Sequence, residues 1–111
     1  MEVRHADYLG ALDAAGRARR VHDTQFLEFD AILTPPAAGE APHGLEATGD
    51  PLYCRPWTLL QAPCISIPFG TGPAGLPLAV QLVGRRGGDV DLLNAARWAE
   101  HALGPQSGAP A

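Results

Sequence analysis

The sequence contains no lysine, only two cysteines and no long apolar run. Cys54 and Cys64 are ten residues apart, without a CxxC pair or a histidine at ligand spacing, so neither a zinc site nor a disulfide framework is predicted. No apolar stretch reaches the roughly 18 residues that a membrane span requires, and none follows a basic start. These absences predict a soluble, cytoplasmic protein with reduced thiols, no cofactor, no metal and no membrane partner.

Basic charge is also scarce. Eight arginines against twelve acidic residues give a formal net charge of −4. The local basic clusters, Arg17–Arg19–Arg20 and Arg85–Arg86, are too small to neutralise a phosphate backbone, so nucleic acid is not an expected partner. Arg19 and Arg20 are expected on the solvent side of a helix.

The chain is rich in residues that break regular structure, with 13 glycines and 11 prolines among 111 residues, although 46% of it is hydrophobic. A chain of this length forms one domain at most, and such a domain buries only about 60–70% of its unfolded surface. Loops must therefore take up much of the sequence, and the stability of the isolated chain is expected to be low.

Periodicity predicts a long amphipathic helix near residues 4–29, because apolar residues recur there at steps of three or four: Tyr8, Leu12, Ala15, Ala18, His22, Phe26 and Phe29. The remaining elements follow in order: a strand over 30–34, an irregular segment over 35–51, a short helix over 53–62, strands over 64–68 and 78–83, and a final helix. That helix is expected to be capped by Asp89, to carry Asp91 in its first turn and to end at Gly104–Pro105.

This order predicts an α/β fold with a partial mixed sheet of about three strands and flanking helices. Three strands leave two unpaired edges and an uncovered face, so residues 1–105 are interpreted as part of a larger sheet. Residues 106–111 are predicted to form a disordered tail.

Candidates for chemistry are few. Gly70–Gly75 matches GxGxxG, but a strand follows it, so it is interpreted as a connection between strands and not as a dinucleotide site. Ser66 lies inside a strand and is expected to point toward packed structure. The four histidines occupy separate segments, and His22 on the apolar stripe is interpreted as a hydrogen-bonded interior residue.

Several landmarks occur in a fixed order: Leu33–Thr34–Pro35, Thr48–Gly49–Asp50–Pro51, Trp57–Thr58, Pro63–Cys–Ile–Ser–Ile–Pro68 and Gly75–Leu–Pro–Leu–Ala–Val–Gln81. Together they resemble the C-terminal segment of amidase signature family enzymes, and the resemblance covers about residues 5–104. The Thr48–Trp57 stretch is more similar to stand-alone amidases than to the tRNA-dependent amidotransferase branch of the family.

The resemblance implies a serine nucleophile, a second bridging serine and a lysine base, all in an earlier part of the family's chain. This sequence has no lysine, and arginine cannot replace one because it stays protonated. No catalytic residue is therefore assigned. The expected substrate-pocket residues come from two short stretches: Thr48, Gly49, Asp50, Trp57 and Thr58. A core role for the Trp57 indole is equally expected.

Two functions follow as hypotheses. In the first, the chain is the C-terminal segment of an amidase that acts on a small amide through a serine, and it is inactive alone. In the second, it is a non-catalytic module that self-associates or docks on a partner chain through its open strand edges.

Overall fold

The computed structural model describes residues 2–105, which form three helices and three strands in the predicted order. They are α1 (His5–Gln25), β1 (Ile32–Thr34), α2 (Arg55–Leu60), β2 (Cys64–Thr71), β3 (Pro77–Val83) and α3 (Asp89–Leu103). The predicted α/β arrangement of a small sheet with flanking helices is confirmed. The tail predicted over 106–111 lies outside the described residues.

The three strands form one sheet in the order β1–β3–β2, and both pairings are antiparallel, so the sheet is not mixed. The connection from β2 to β3 explains this for one pair, because a link of five residues is too short for a parallel crossover. The glycine-rich segment is thus a link between two strands, as predicted. A register shift between Pro68 and Gly70 bends β2 near this link.

The register separates the two faces of the sheet. Leu82 of β3 lies between Leu33 and Ile65, while Gln81 lies between Thr34 and Ser66 on the opposite face. The first face packs against α3, and the buried core forms there from Ile67, Leu82, Leu92 and Ala96. This cluster lies between one sheet face and α3, and on the opposite face of β3 Val83 is also fully buried.

The long helix α1 is only partly covered. Its buried residues are Ala15 and His22, whereas Tyr8 and Leu12 are about half exposed, so the prediction of a dry face along the whole helix was wrong. Within the described residues α1 packs mainly on α2, and α2 has only two turns. A short partner cannot cover a helix of 21 residues.

Two predictions from the sequence pattern were wrong: the N-cap residue of α3 and the environment of Arg19. The N-cap of α3 is Gly88 and not Asp89, because the Gly88 carbonyl accepts the first helical bond from Leu92 N at 2.9 Å. Arg19 was expected in solvent, but its guanidinium donates to the Leu59 carbonyl at the end of α2, with Nη2 at 2.8 Å. A cation at the last carbonyls of a helix is favourable because these groups lack helical partners.

None of the helices within residues 2–105 combines the length and the apolar character that crossing a membrane demands.

Candidate functional site

The predicted pocket residues occupy two adjoining stretches. Thr48, Gly49 and Asp50 lie at the end of an exposed irregular segment, and the turn over residues 51–54 connects it to α2. The Asp50 carboxylate accepts a bond from Leu52 N at 3.0 Å, forming a local turn. The Pro51 carbonyl then accepts from the amides that begin the helix. No contact in the described residues tests whether these side chains line a pocket, so their role stays a prediction.

Trp57 and Thr58 lie on α2. Thr58 donates its hydroxyl to the Cys54 carbonyl at 3.2 Å, so this hydroxyl is engaged by its own helix. The half-buried Trp57 ring lies beside the ring of His22, with centroids 5.9 Å apart. Its Nε1–H is buried and has no hydrogen-bond partner in the part of the chain that the structure describes. The indole body thus packs on α1, while its one polar atom remains unsatisfied.

His22 fixes α1 to the end of β3. The ring is buried, its Nε2 lies 3.1 Å from the Gly84 carbonyl, and its ring meets that of Phe26 edge to face at a centroid distance of 5.0 Å. The prediction of a hydrogen-bonded interior histidine is confirmed. Because a carbonyl oxygen only accepts, Nε2 is the donor nitrogen of this ring, and in the neutral ring Nδ1 carries the lone pair.

A second link joins α1 to the loop after β3. The Arg86 guanidinium donates to the Asp23 carboxylate, with Nη2 and Oδ2 2.8 Å apart, and both side chains are about one third exposed. The bond from Arg86 holds the pKa of Asp23 below its ordinary value, and the same bond raises the pKa of Arg86. The pair is a structural salt bridge, since each charge is neutralised by the other.

The two thiols both donate to backbone carbonyls. Cys54 donates to the Pro36 carbonyl at 3.3 Å, and Cys64 to the Ala62 carbonyl at 3.7 Å. Burial raises the pKa of Cys64, and the nearby Cys54 raises it further. A thiol with a raised pKa is a poor nucleophile at neutral pH, because little thiolate is present. Both cysteines are free.

Ser66 is exposed on β2, so the prediction that it points toward packed structure was wrong. It belongs to a row across the sheet face opposite α3, in which Gln81 Nε2 donates to Thr34 Oγ1 at 3.2 Å. Gln81 is almost fully buried. The row of Thr34, Gln81 and Ser66 has no titratable member, and a serine needs a base to become a nucleophile.

Residues 2–105 also form an apolar groove of about 1020 Å³. The groove lies between α3, the sheet face that packs against α3, and the chain after α1. Its lining includes four exposed large apolar residues: Phe29, Leu33, Phe69 and Trp98. Sequence reasoning missed it. The available signal was Trp98, a large apolar residue that lies off the buried stripe of α3.

The family model and the similar proteins agree on one family. The sequence model of the family described as Amidase matches residues 1–93. The glutamyl-tRNA(Gln) amidotransferase A subunit from Alkaliphilus metalliredigens is 36% identical over 107 residues, covering 89% of this chain. Its counterpart from Anaeromyxobacter sp. is 36% identical over 113 residues, covering 95% of this chain.

A solved structure shows the same likeness in three dimensions. The crystal structure of the glutamyl-tRNA(Gln) amidotransferase A subunit from Thermotoga maritima matches with a TM-score of 0.63 and 29% identity over 83% of this chain. The chain spans only 22–23% of the length of these relatives. Because these relatives are all amidotransferase components, the predicted similarity to stand-alone amidases gains no support from them.

Proposed function

Because this chain belongs to the amidase signature family, we propose that it is the C-terminal segment of a hydrolase that cleaves the C–N bond of carboxylic amides. The observation that supports this is the ordered match over nearly the whole chain to about a fifth of each relative. The segment would supply part of the sheet and one wall of the acyl pocket. The serine nucleophile would come from the larger remainder of the family's domain.

The chemistry of this chain fits an auxiliary role. It has no lysine, His22 is buried and joined to a backbone carbonyl through Nε2, and Ser66 belongs to a row without a base. Acyl transfer through serine needs a base that removes the hydroxyl proton and donors that stabilise the oxyanion. The isolated chain would therefore not turn over amides.

Within the complete site, the segment from Thr48 to Asp50 and the start of α2 would border the substrate. What supports this placement is that residues 48–50 are exposed in this segment and so remain open to contact by the substrate or by the remaining domain.

The test is an amide-hydrolysis assay of the purified 111 residues on a panel of small and aryl amides, read by ammonia or amine release. We expect no turnover above the buffer rate. Turnover that is lost in Ser66→Ala would overturn the proposal, and turnover that survives this substitution would point to a contaminating enzyme. Glutamine belongs in the panel, since the relatives are components of a glutamyl-tRNA(Gln) amidotransferase.

A second candidate function is docking on a partner chain, and the surface of the molecule favours it. The accessible surface is 8340 Å², whereas a compact monomer of this mass exposes only about 5800 Å². The partner that fits this surface is the remainder of an amidase-family domain, since the matched Thermotoga maritima structure extends well beyond the part that aligns with this chain. Light scattering separates the outcomes: a stable monomer disfavours self-association, and a defined oligomer means that copies of this chain cover one another.

A further inference from the structure

The turn between β2 and β3 holds a carboxylate. Glu40 Oε1 accepts bonds from the backbone N–H groups of Ala74, at 2.9 Å, and Leu76, at 3.2 Å, and Oε2 lies 3.2 Å from Ala74 N. Glu40 lies 34 and 36 residues away in the sequence. Two amides that converge on one acceptor form a small anion-binding concavity of the kind that backbone nests provide.

The geometry of the turn is adapted to this occupant. Gly75 has a φ of +83°, which lets the chain reverse so that the amides on both sides of it point to the same place. At Gly72, a Cβ atom would overlap the Glu40 carboxylate, so only glycine leaves room for it. Internal bonds from Gly72 N to the Leu76 carbonyl, at 2.9 Å, and from Gly75 N to the Gly72 carbonyl, at 3.0 Å, close the turn without using the two convergent amides.

The segment that Glu40 belongs to has little other cover. We call residues 35–50 the strap; residues 41–50 are exposed throughout, whereas Glu40 is half-buried. The strap carries Thr48, Gly49 and Asp50. A contact at Glu40 therefore decides where the middle of the strap lies relative to the sheet.

We propose that the β2–β3 turn is a carboxylate-binding site whose resident ligand is Glu40, and that this contact latches the strap onto the sheet. The inference concerns contacts within this chain and does not depend on the proposed amidase role. A hydrogen bond to a charged acceptor is worth more than a neutral one, so the negative charge of Glu40 matters as well as its shape.

The test is NMR-detected hydrogen exchange of the Ala74 and Leu76 amides. In Glu40→Ala we expect both amides to exchange about tenfold faster, while Gly72 and Gly75, which use the internal turn bonds, keep their rates. Glu40→Gln retains an oxygen acceptor without charge and should give intermediate rates. Glu46→Ala, which removes an exposed carboxylate of the same strap, is the matched control and should change neither amide.

Gly72→Ala attacks the same contact from the other side, since the added methyl displaces the carboxylate without changing any charge. It should speed the exchange of Ala74 and Leu76 as Glu40→Ala does, and the double variant should do no more than either single one. Unchanged rates in Glu40→Ala would overturn the latch. Wild-type rates in Glu40→Gln would overturn the requirement for a charged carboxylate.

Discussion

At the scale of single residues, two polar contacts join α1 to the end of β3 and to the loop that follows it. His22 reaches the carbonyl of Gly84, and the next residue of α1, Asp23, accepts from Arg86. Each contact joins positions more than 60 residues apart. The position of His22 on the apolar stripe was enough to predict that it is interior. Nothing in the sequence pattern predicted that Asp23 pairs with Arg86, because that pairing depends on how α1 crosses the end of β3.

The Asp23–Arg86 pair should make stability depend on pH in one direction. The pKa of Asp23 is lowered in the folded chain, so its contribution is complete above the ordinary value of 3.8 and is lost as the pH falls through the folded pKa. Asp23→Asn should lower the unfolding midpoint at pH 7, and the difference from wild type should shrink below about pH 4. Urea titrations at several pH values measure this.

Asp13→Asn is the matched control for this prediction. Asp13 pairs with Arg17 within the same helix, where the two side chains are 66% and 60% exposed. Asp13→Asn should lower the urea unfolding midpoint less than Asp23→Asn does at pH 7, because exposed ion pairs contribute little to the free energy of unfolding. An equal loss in both variants would mean that the link to Arg86 adds nothing to the general charge balance of α1.

At the scale of elements, the order and type of all helices and strands within residues 2–105 were predicted correctly from apolar periodicity and from the glycines and prolines that end each element. The capping of α3 was not. Asp89 is a good capping residue by type, but the Arg85–Gly88 turn, closed by a bond from Gly88 N to the Arg85 carbonyl, starts the helix one residue earlier. Cap position depends on the entry path of the backbone, which residue preference alone does not specify.

The packing of α3 on the sheet can be tested with two adjacent leucines. Leu92 is buried in the core with Ile67, Leu82 and Ala96, whereas Leu93 is 58% exposed. Leu92→Ala should lower the free energy of unfolding by about 2–5 kcal/mol, and Leu93→Ala should change it by no more than about 0.5 kcal/mol. Denaturant unfolding followed by far-ultraviolet circular dichroism gives both values. Similar losses would place the sheet on a different face of α3.

At the scale of the whole molecule, the described chain is a thin plate. Its extents are 51 × 39 × 16 Å and its radius of gyration is 16.8 Å, whereas a compact domain of this length has a radius of about 13 Å. One sheet face carries α3, and both outer strands keep an unpaired edge within the described residues. The molecule therefore has the form of a layer taken from a thicker fold, in agreement with the share of its relatives that it spans.

The openness of the groove predicts different environments for the two tryptophans. Trp98 is 73% exposed, while Trp57 is half-buried against α1. In Trp57→Phe the remaining Trp98 should be quenched strongly by acrylamide, and in Trp98→Phe the remaining Trp57 should be quenched several-fold less. Measurement at two protein concentrations controls for self-association. Strong protection of Trp98 at low concentration would mean that the groove is closed in solution.

The sequence by itself determined the family, the element order and the absence of the lysine base, because these depend on local pattern and on composition. Landmarks such as Gly75–Leu76–Pro77 and the periodic stripe of α3 are readable without knowledge of distant contacts. Only the tertiary structure decided that Ser66 is exposed, that Glu40 occupies the β2–β3 turn and that Trp98 borders an open groove. These facts depend on which strands pair and in which register, and a slip of one residue would reverse every side chain of β2 between the two faces.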